Sequence, residues 1–337
     1  MAYSGKLAAG NHQDLFVQLK TFLTDTPAVP GRDWTVVKSG EFEYGPYVVL
    51  KNTGTNNNDN IWIGLYSATK DSTNGGMVCK VYSYFDENTD FFDTQFGNLA
   101  GCYKSDNNSV LKTHAFTPYW NNITNFWIWS NKNRIIFVIN SNGMYSDAYL
   151  GKLKNSTFVP FNLACLTDSY TSLWDNTLYH TQGLSSSDAH NIRHTFVQQF
   201  TGNKFVSGVN VTENHACHSV CLSDRSWITN FCCVPYSIPN SFFDDSRTPI
   251  YDQDVFNTNF DYITLDSSVK ILLPMYVMIR TINARNYNEP HNTAGLLDGV
   301  YFCPDMQNIS ESIINDCVVF PDINRTTWNS FMAIGDN

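Results

Sequence analysis

Histidine and cysteine are concentrated in one short segment, HACHSVC, which contains His215, Cys217, His218 and Cys221. Imidazole nitrogen and thiolate sulfur at such close spacing are ligands that zinc prefers. No CxxC pair accompanies the segment, and the nearby HNIRH stretch lacks the glutamate of a zinc-protease motif. Buried thiols and ordinary polar histidines are the commoner fate of these residue types. The sequence therefore predicts no metal and no cofactor. If the chain does bind a metal ion, these four residues are the candidate ligands.

Hydrolytic chemistry would need a nucleophile or a pair of carboxylates in a cleft. The chain has no G-x-S-x-G nucleophile elbow. Carboxylates cluster in FDENTDFFD (85–93) and FFDDSRTPIYDQD (242–254), which read as solvated turns with aromatic anchors rather than as a glycosidase pair. The prediction is that the chain is not an enzyme. The same aromatic and acidic loops suit the binding of a sugar by ring stacking or of a neighbouring subunit, and both uses stay open.

Composition limits the partners. Charged residues make up only 15% of the 337 residues, the formal net charge is -10, and there is no basic run. Because nucleic-acid binding depends on clusters of Lys and Arg, the sequence predicts no nucleic-acid partner. No window approaches the roughly 18 apolar residues of a membrane span, and no signal-type segment is visible, so we expect no membrane partner and folding in the cytoplasm.

The elements that would position these residues are mostly strands. Residues 11–24 carry Leu15, Leu19, Phe22 and Leu23 at helical spacing and predict one amphipathic helix. After the DTPAVPGRDW segment, short runs rich in Val, Ile, Tyr and Trp alternate with turn clusters and predict an antiparallel meander. In NIWIGLY, Ile61, Ile63 and Leu65 fall on one face while Trp62 and Tyr66 fall on the other, so both faces of that strand should be covered.

Residues 125–153 predict a hairpin and a following strand. FWIWS is the first strand, NKN the turn and RIIFVIN the returning strand. Because the IIFVI run (135–139) is apolar at every position, this strand should be central and covered on both sides. Four aromatic residues around it are candidates for the core or for a subunit interface: Trp127, Trp129, Tyr145 and Tyr149.

The fold class predicted is α+β, mostly β, with an antiparallel β-sandwich-like body and a short N-terminal amphipathic helix. We predict an N-terminal helix and linker over 1–30, an antiparallel β domain over 31–160, a β-rich central segment over 161–294 and a C-terminal segment over 295–337 that returns to the first β domain. Within the central segment, 185–200 suits a helix or a strand, and SWITNFCCVPYSI and SVKILLPMYVMIRTI are strand candidates, the second interrupted at Pro274.

Four blocks together resemble a known family. They are GKLAAGNHQDLFVQLKTFLT followed by DWTVV, then NIWIGLYS, then FWIWSNKNRIIFVINSNGMYSDAYLGKL, and finally the segment that begins GLLDGVYFCPD. In order and spacing they are similar to tailed-bacteriophage and prophage virion structural proteins, which share a "W...N..RI..V.......YLG" pattern and an "LDGVY" pattern. The matching residues here are Trp127 or Trp129, Arg134, Tyr149, Leu150 and Gly151, and Leu297, Asp298, Gly299, Val300 and Tyr301.

The resemblance implies a particle component of the tail or baseplate that acts through protein–protein assembly, with no catalytic residues to carry over. It implies a homo-oligomer that contacts tail tube, baseplate or fibre components in a virion assembled in the host cytoplasm. Two alternatives remain: a receptor- or glycan-binding tail or fibre-attachment module, and a zinc-binding or hydrolytic particle protein.

Overall fold

A computed structural model describes most of the N-terminal half of the chain and separate strands beyond it. The residues described are 2–55, 60–69, 75–88, 113–119, 123–141, 144–152, 163–167, 169–172, 217–221, 227–229, 231–235, 260–264, 270–273, 300–303, 313–314, 317–321 and 331–335. Across these ranges, no helix combines the length and the apolar character that crossing a membrane requires.

The described elements are twenty strands and one helix. They are β1 (Ala2–Tyr3), α1 (His12–Thr24), β2 (Thr35–Phe42), β3 (Gly45–Asn52), β4 (Ile61–Thr69), β5 (Gly75–Tyr82), β6 (Thr113–Tyr119), β7 (Ile123–Ser130), β8 (Arg134–Ser141), β9 (Met144–Lys152), β10 (Leu163–Thr167), β11 (Ser169–Ser172), β12 (Cys217–Cys221), β13 (Trp227–Thr229), β14 (Phe231–Pro235), β15 (Phe260–Thr264), β16 (Lys270–Leu273), β17 (Val300–Cys303), β18 (Ile313–Ile314), β19 (Cys317–Pro321) and β20 (Phe331–Gly335).

The chain divides into two compact units. The first comprises Met1–Gln182 and His215–Asn230, and the second comprises Gly183–Asn214 and Phe231–Asn337. The first unit contains a seven-stranded sheet, β1-β7-β8-β9-β10-β12-β13, and a six-stranded sheet, β11-β6-β5-β4-β3-β2. The second contains the sheets β14-β15-β16 and β17-β20-β19-β18. The domain boundaries predicted from the sequence at residues 30, 160 and 294 do not coincide with the limits of these two units, and they stay predictions.

The strands pair antiparallel in all four sheets, so the prediction of a mostly β, antiparallel chain is confirmed. The predicted meander is β2 to β5, whose strands pair in chain order. Strands β13, β14 and β16 lie within the two central strand candidates. The 185–200 segment and Pro274 lie outside the described residues.

Helix α1 begins at a reciprocal pair of side-chain hydrogen bonds. The Asn11 side-chain oxygen accepts from the Asp14 backbone N–H at 2.9 Å, and the Asp14 carboxylate accepts from the Gly10 N–H at 2.8 Å. These bonds satisfy backbone donors that lack partners within the first turn. The buried residues recur every three or four positions, so one face of the helix joins the core: Leu15, Phe16, Leu19, Phe22 and Leu23.

One continuous hydrophobic cluster in the first unit takes side chains from both sheets and from α1. Its members include Leu15, Leu19 and Leu23 of α1, Leu50, Ile63, Leu65, Met77 and Val81 of the six-stranded sheet, and Ile128, Phe137, Leu150 and Cys165 of the seven-stranded sheet. A second cluster covers the other face of the six-stranded sheet and contains Tyr47, Trp62, Tyr66 and Tyr82. The predicted alternation along β4 is therefore confirmed, because its odd-numbered residues join one cluster and its aromatic residues join the other.

Strand β8 is the most completely covered strand described. It lies between β7 and β9, and all eight of its residues are buried. The turn between β7 and β8 falls at residues 131–133, as NKN predicts. The predicted hairpin and the predicted central strand are both confirmed.

Strand β2 ends the six-stranded sheet and is mostly exposed. A register shift between Val36 and Lys38 inserts Val37 as an extra residue opposite β3. The Lys38 Nζ then reaches the Glu87 carbonyl oxygen at 3.1 Å. A bulge and a lysine are devices by which an edge strand avoids pairing with another chain.

Candidate functional site: the hairpin junction

The turn of the β7–β8 hairpin is the centre of the best-defined polar cluster. We call this cluster the hairpin junction and define it as residues 130–134 with the segments 31–34, 52–55 and 151–152 that contact them. The Asn131 side-chain oxygen accepts from the backbone N–H groups of Asn133 at 2.8 Å and Arg134 at 3.0 Å. The Asn131 N–H donates to the Arg134 carbonyl at 3.1 Å and closes the hairpin. Asparagine suits this turn because its amide replaces a backbone acceptor.

The end of β9 approaches this turn so closely that it needs a glycine. Gly151 pairs with Arg134 and has a φ of +123°. A Cβ at this position would lie 2.4 Å from the Asn133 carbonyl oxygen and 2.7 Å from the Arg134 Cα. The Lys152 N–H donates to the same Asn133 carbonyl at 2.7 Å. A side chain at position 151 would therefore collide with backbone that is already held in place.

The segment after α1 reaches the same end of the hairpin. The Trp34 indole N–H donates to the Ser130 hydroxyl at 3.0 Å in a buried position. Gly31 has a φ of +93°, and a Cβ there would lie 2.1 Å from the Ser130 carbonyl oxygen. The Gly31 N–H donates to the Asp33 carboxylate at 2.8 Å. Trp34 and Gly31 thus fix the path of the chain from the helix to the sheet.

The loop between β3 and β4 completes the junction. Asn133 bonds Thr55 twice, since its oxygen accepts from the Thr55 N–H at 2.9 Å and its Nδ2 donates to the Thr55 hydroxyl at 2.7 Å. Asp33 accepts from the Asn52 side-chain amide at 3.2 Å, and its carboxylate lies 3.9 Å from Lys132 Nζ. Segments far apart in the sequence are therefore joined by amides, hydroxyls and one carboxylate.

This chemistry is suited to holding a structure. The junction segments contain neither histidine nor cysteine. The Ser130 hydroxyl accepts from Trp34 and lies 3.3 Å from the Arg134 carbonyl, so it is occupied by the frame itself. Arg134 is completely buried. A nucleophile activated by a neighbouring base would need a different arrangement.

Residues of the family resemblance meet at this junction. Arg134 and Gly151 pair with each other, and the Tyr149 hydroxyl donates to the Lys152 carbonyl at 2.7 Å. Trp34, from the first sequence block, bonds Ser130. Sequence reasoning missed Asp33 and Gly31, although a glycine and an aspartate after two prolines are a turn signal that marks the segment.

The aromatic candidates are placed as follows. Trp127, Trp129 and Tyr149 are buried within the chain, which makes them unavailable to a partner subunit in this conformation. The Tyr3 ring stacks on Trp129 with centroids 4.9 Å apart. The side chain of Tyr145 lies outside the described residues.

The metal candidates lie on or beside β12. Cys217, His218 and Cys221 belong to this strand, and His215 lies outside the described residues. Four residues of strand place the Cα atoms of Cys217 and Cys221 roughly 13 Å apart. Two thiolates on one zinc ion need sulfur atoms within about 4 Å of each other, since each Zn–S bond is about 2.3 Å. The strand spacing thus opposes one ion shared by these two cysteines.

Other described thiols and carboxylates also lack a metal-binding arrangement. Among the described residues, no group of three or more His, Cys, Asp or Glu side chains could hold a metal ion. Cys79 and Cys165 are buried thiols, and burial raises the pKa of Cys165. In the 85–93 segment the described part is a turn, where Asp86 accepts from the Asn88 N–H at 2.9 Å and Phe85 is buried. The 242–254 segment lies outside the described residues.

Comparison with known proteins identifies no family for this chain. No protein-family model matches the chain, and no curated protein matches it in sequence. The resemblance to virion structural proteins therefore rests on the quoted residues themselves.

Proposed function

We propose that this chain is a structural component of a bacteriophage virion, in the tail or baseplate, and that it acts through protein–protein assembly. The observation that carries the proposal is the role of the resemblance residues. Trp34 comes from the first sequence block and Arg134 and Gly151 from the third, and all three contact one frame, where the first two are buried and Gly151 admits no side chain. Residues used in this way define a scaffold. A scaffold with no catalytic residues to carry over is what the resemblance to particle proteins implies.

The body of this scaffold is an antiparallel β-sandwich with α1 packed on its core. Support comes from the hydrophobic cluster that the two sheets of the first unit share, since two sheets that pack face to face bury their inner side chains together. The N-terminal helix contributes its buried face to the same cluster. The polar network of the hairpin junction then fixes one end of this body.

The partners are other copies of the chain and other virion proteins of the tail tube, baseplate or fibres. A chain with 15% charged and 15% aromatic residues suits a working state in which part of its surface is covered by neighbours. Assembly takes place in the host cytoplasm, and the final location is the virion.

Quantitative peptide mass spectrometry on phage particles separated into heads and tails tests the proposal. The peptides of this chain are scored against those of the major tube protein. We expect the chain with the tails at a fixed number of copies per particle. Its absence from purified particles would overturn the proposal.

A second candidate function is recognition of a cell-surface glycan, as in a receptor-binding or fibre-attachment module. The observation that favours it is Tyr84, whose side chain is 47% exposed and meets Trp62 edge-on with ring centroids 5.9 Å apart. An exposed ring packed against a second, buried aromatic side chain could stack on a sugar, and Asp86 follows two residues later in the sequence. Tyr84→Ala should then abolish binding of the isolated chain to host-cell glycans. Val17→Ala, at an exposed apolar position on α1, is the matched control.

A further inference from the structure

We draw no further inference here: the strongest candidate, the surface patch at one end of the six-stranded sheet where the exposed Tyr84 ring and the Lys51 ammonium flank the Trp62 indole, belongs to the glycan-binding candidate already described, and nothing in the described part of the chain shows which ligand would cover it.

Discussion

Substitution of Gly151 by alanine probes the frame of the hairpin junction most directly. The backbone there has a φ of +123°, where an L side chain costs of the order of 1–3 kcal/mol. The added Cβ would also lie 2.4 Å from the Asn133 carbonyl oxygen, and accommodating such an overlap costs about 1–3 kcal/mol. Together we expect Gly151→Ala to reduce the free energy of unfolding by about 2–6 kcal/mol, a large part of the 5–15 kcal/mol that is typical of proteins.

Two other glycines separate the energetic cost of the backbone conformation from the cost of the steric overlap. Gly5 has a φ of +72° with nothing within 4 Å of an added Cβ, so Gly5→Ala reports backbone conformation without overlap. At Gly10 an added Cβ would meet only the Asp14 carboxylate, at 3.8 Å, which is ordinary contact. We expect a loss of about 1–2 kcal/mol for Gly5→Ala and a change within about 0.5 kcal/mol for Gly10→Ala.

The assay is urea unfolding followed by the fluorescence of the buried tryptophans Trp34, Trp127 and Trp129. A loss of about 2–6 kcal/mol should move the midpoint down by about 0.7 M or more, since the free energy of unfolding falls by about 1–3 kcal/mol per molar urea. If Gly151→Ala unfolds at the same urea concentration as Gly5→Ala, the overlap has no energetic effect. If Gly151→Ala unfolds at the same urea concentration as Gly10→Ala, neither the backbone conformation nor the overlap at position 151 affects stability, and the account of the junction is wrong.

Four further predictions address other parts of the molecule. Asn11→Ala removes the cap of α1 and should lower the free energy of unfolding by about 1 kcal/mol, measured by thermal denaturation. Ile136→Asp buries a charge in β8 and should abolish soluble folding, whereas Ile136→Val should cost only about 0.5–1.5 kcal/mol; a soluble Asp variant that assembles would contradict the core assignment. Burial raises the pKa of Tyr66 from its ordinary value of 10.0 to about 12, so the stability contributed by its neutral phenol is complete below pH 10 and is lost as the pH rises towards 12, which tyrosinate absorbance and unfolding curves at alkaline pH should show together. Changing both Cys217 and Cys221 to Ser should leave the zinc content of the purified chain unchanged by elemental analysis, and a stoichiometric loss of zinc would restore the metal hypothesis.

The strands of the meander and the hairpin could be predicted because their signals are local. Alternation along β4 indicates which residues share a face, and a polar NKN turn between two apolar runs indicates where the chain reverses. Periodicity does not indicate which distant strand pairs with a given strand. The pairing of Tyr3 with Trp129 depends on the closing of a loop of more than a hundred residues, which no local pattern encodes.

The candidate site was predictable only in pieces for the same reason. Asn131 and Gly151 each stand out as turn or close-approach residues, but the bond between Trp34 and Ser130 joins separate blocks. The cysteine and histidine segment shows what spacing along the sequence leaves open. The sequence predicted no metal and named four candidate ligands, and the extended strand adds that Cys217 and Cys221 lie too far apart to share one ion.

The bulge and the lysine of β2 have a consequence for how identical copies of the chain meet one another. A flat, regular margin would let identical chains add to one another without limit and grow into fibrils. The extra residue at Val37 twists that margin, and Lys38 is drawn across to Glu87. This edge of the six-stranded sheet therefore offers no flat, regular margin to which a strand of an identical chain could add.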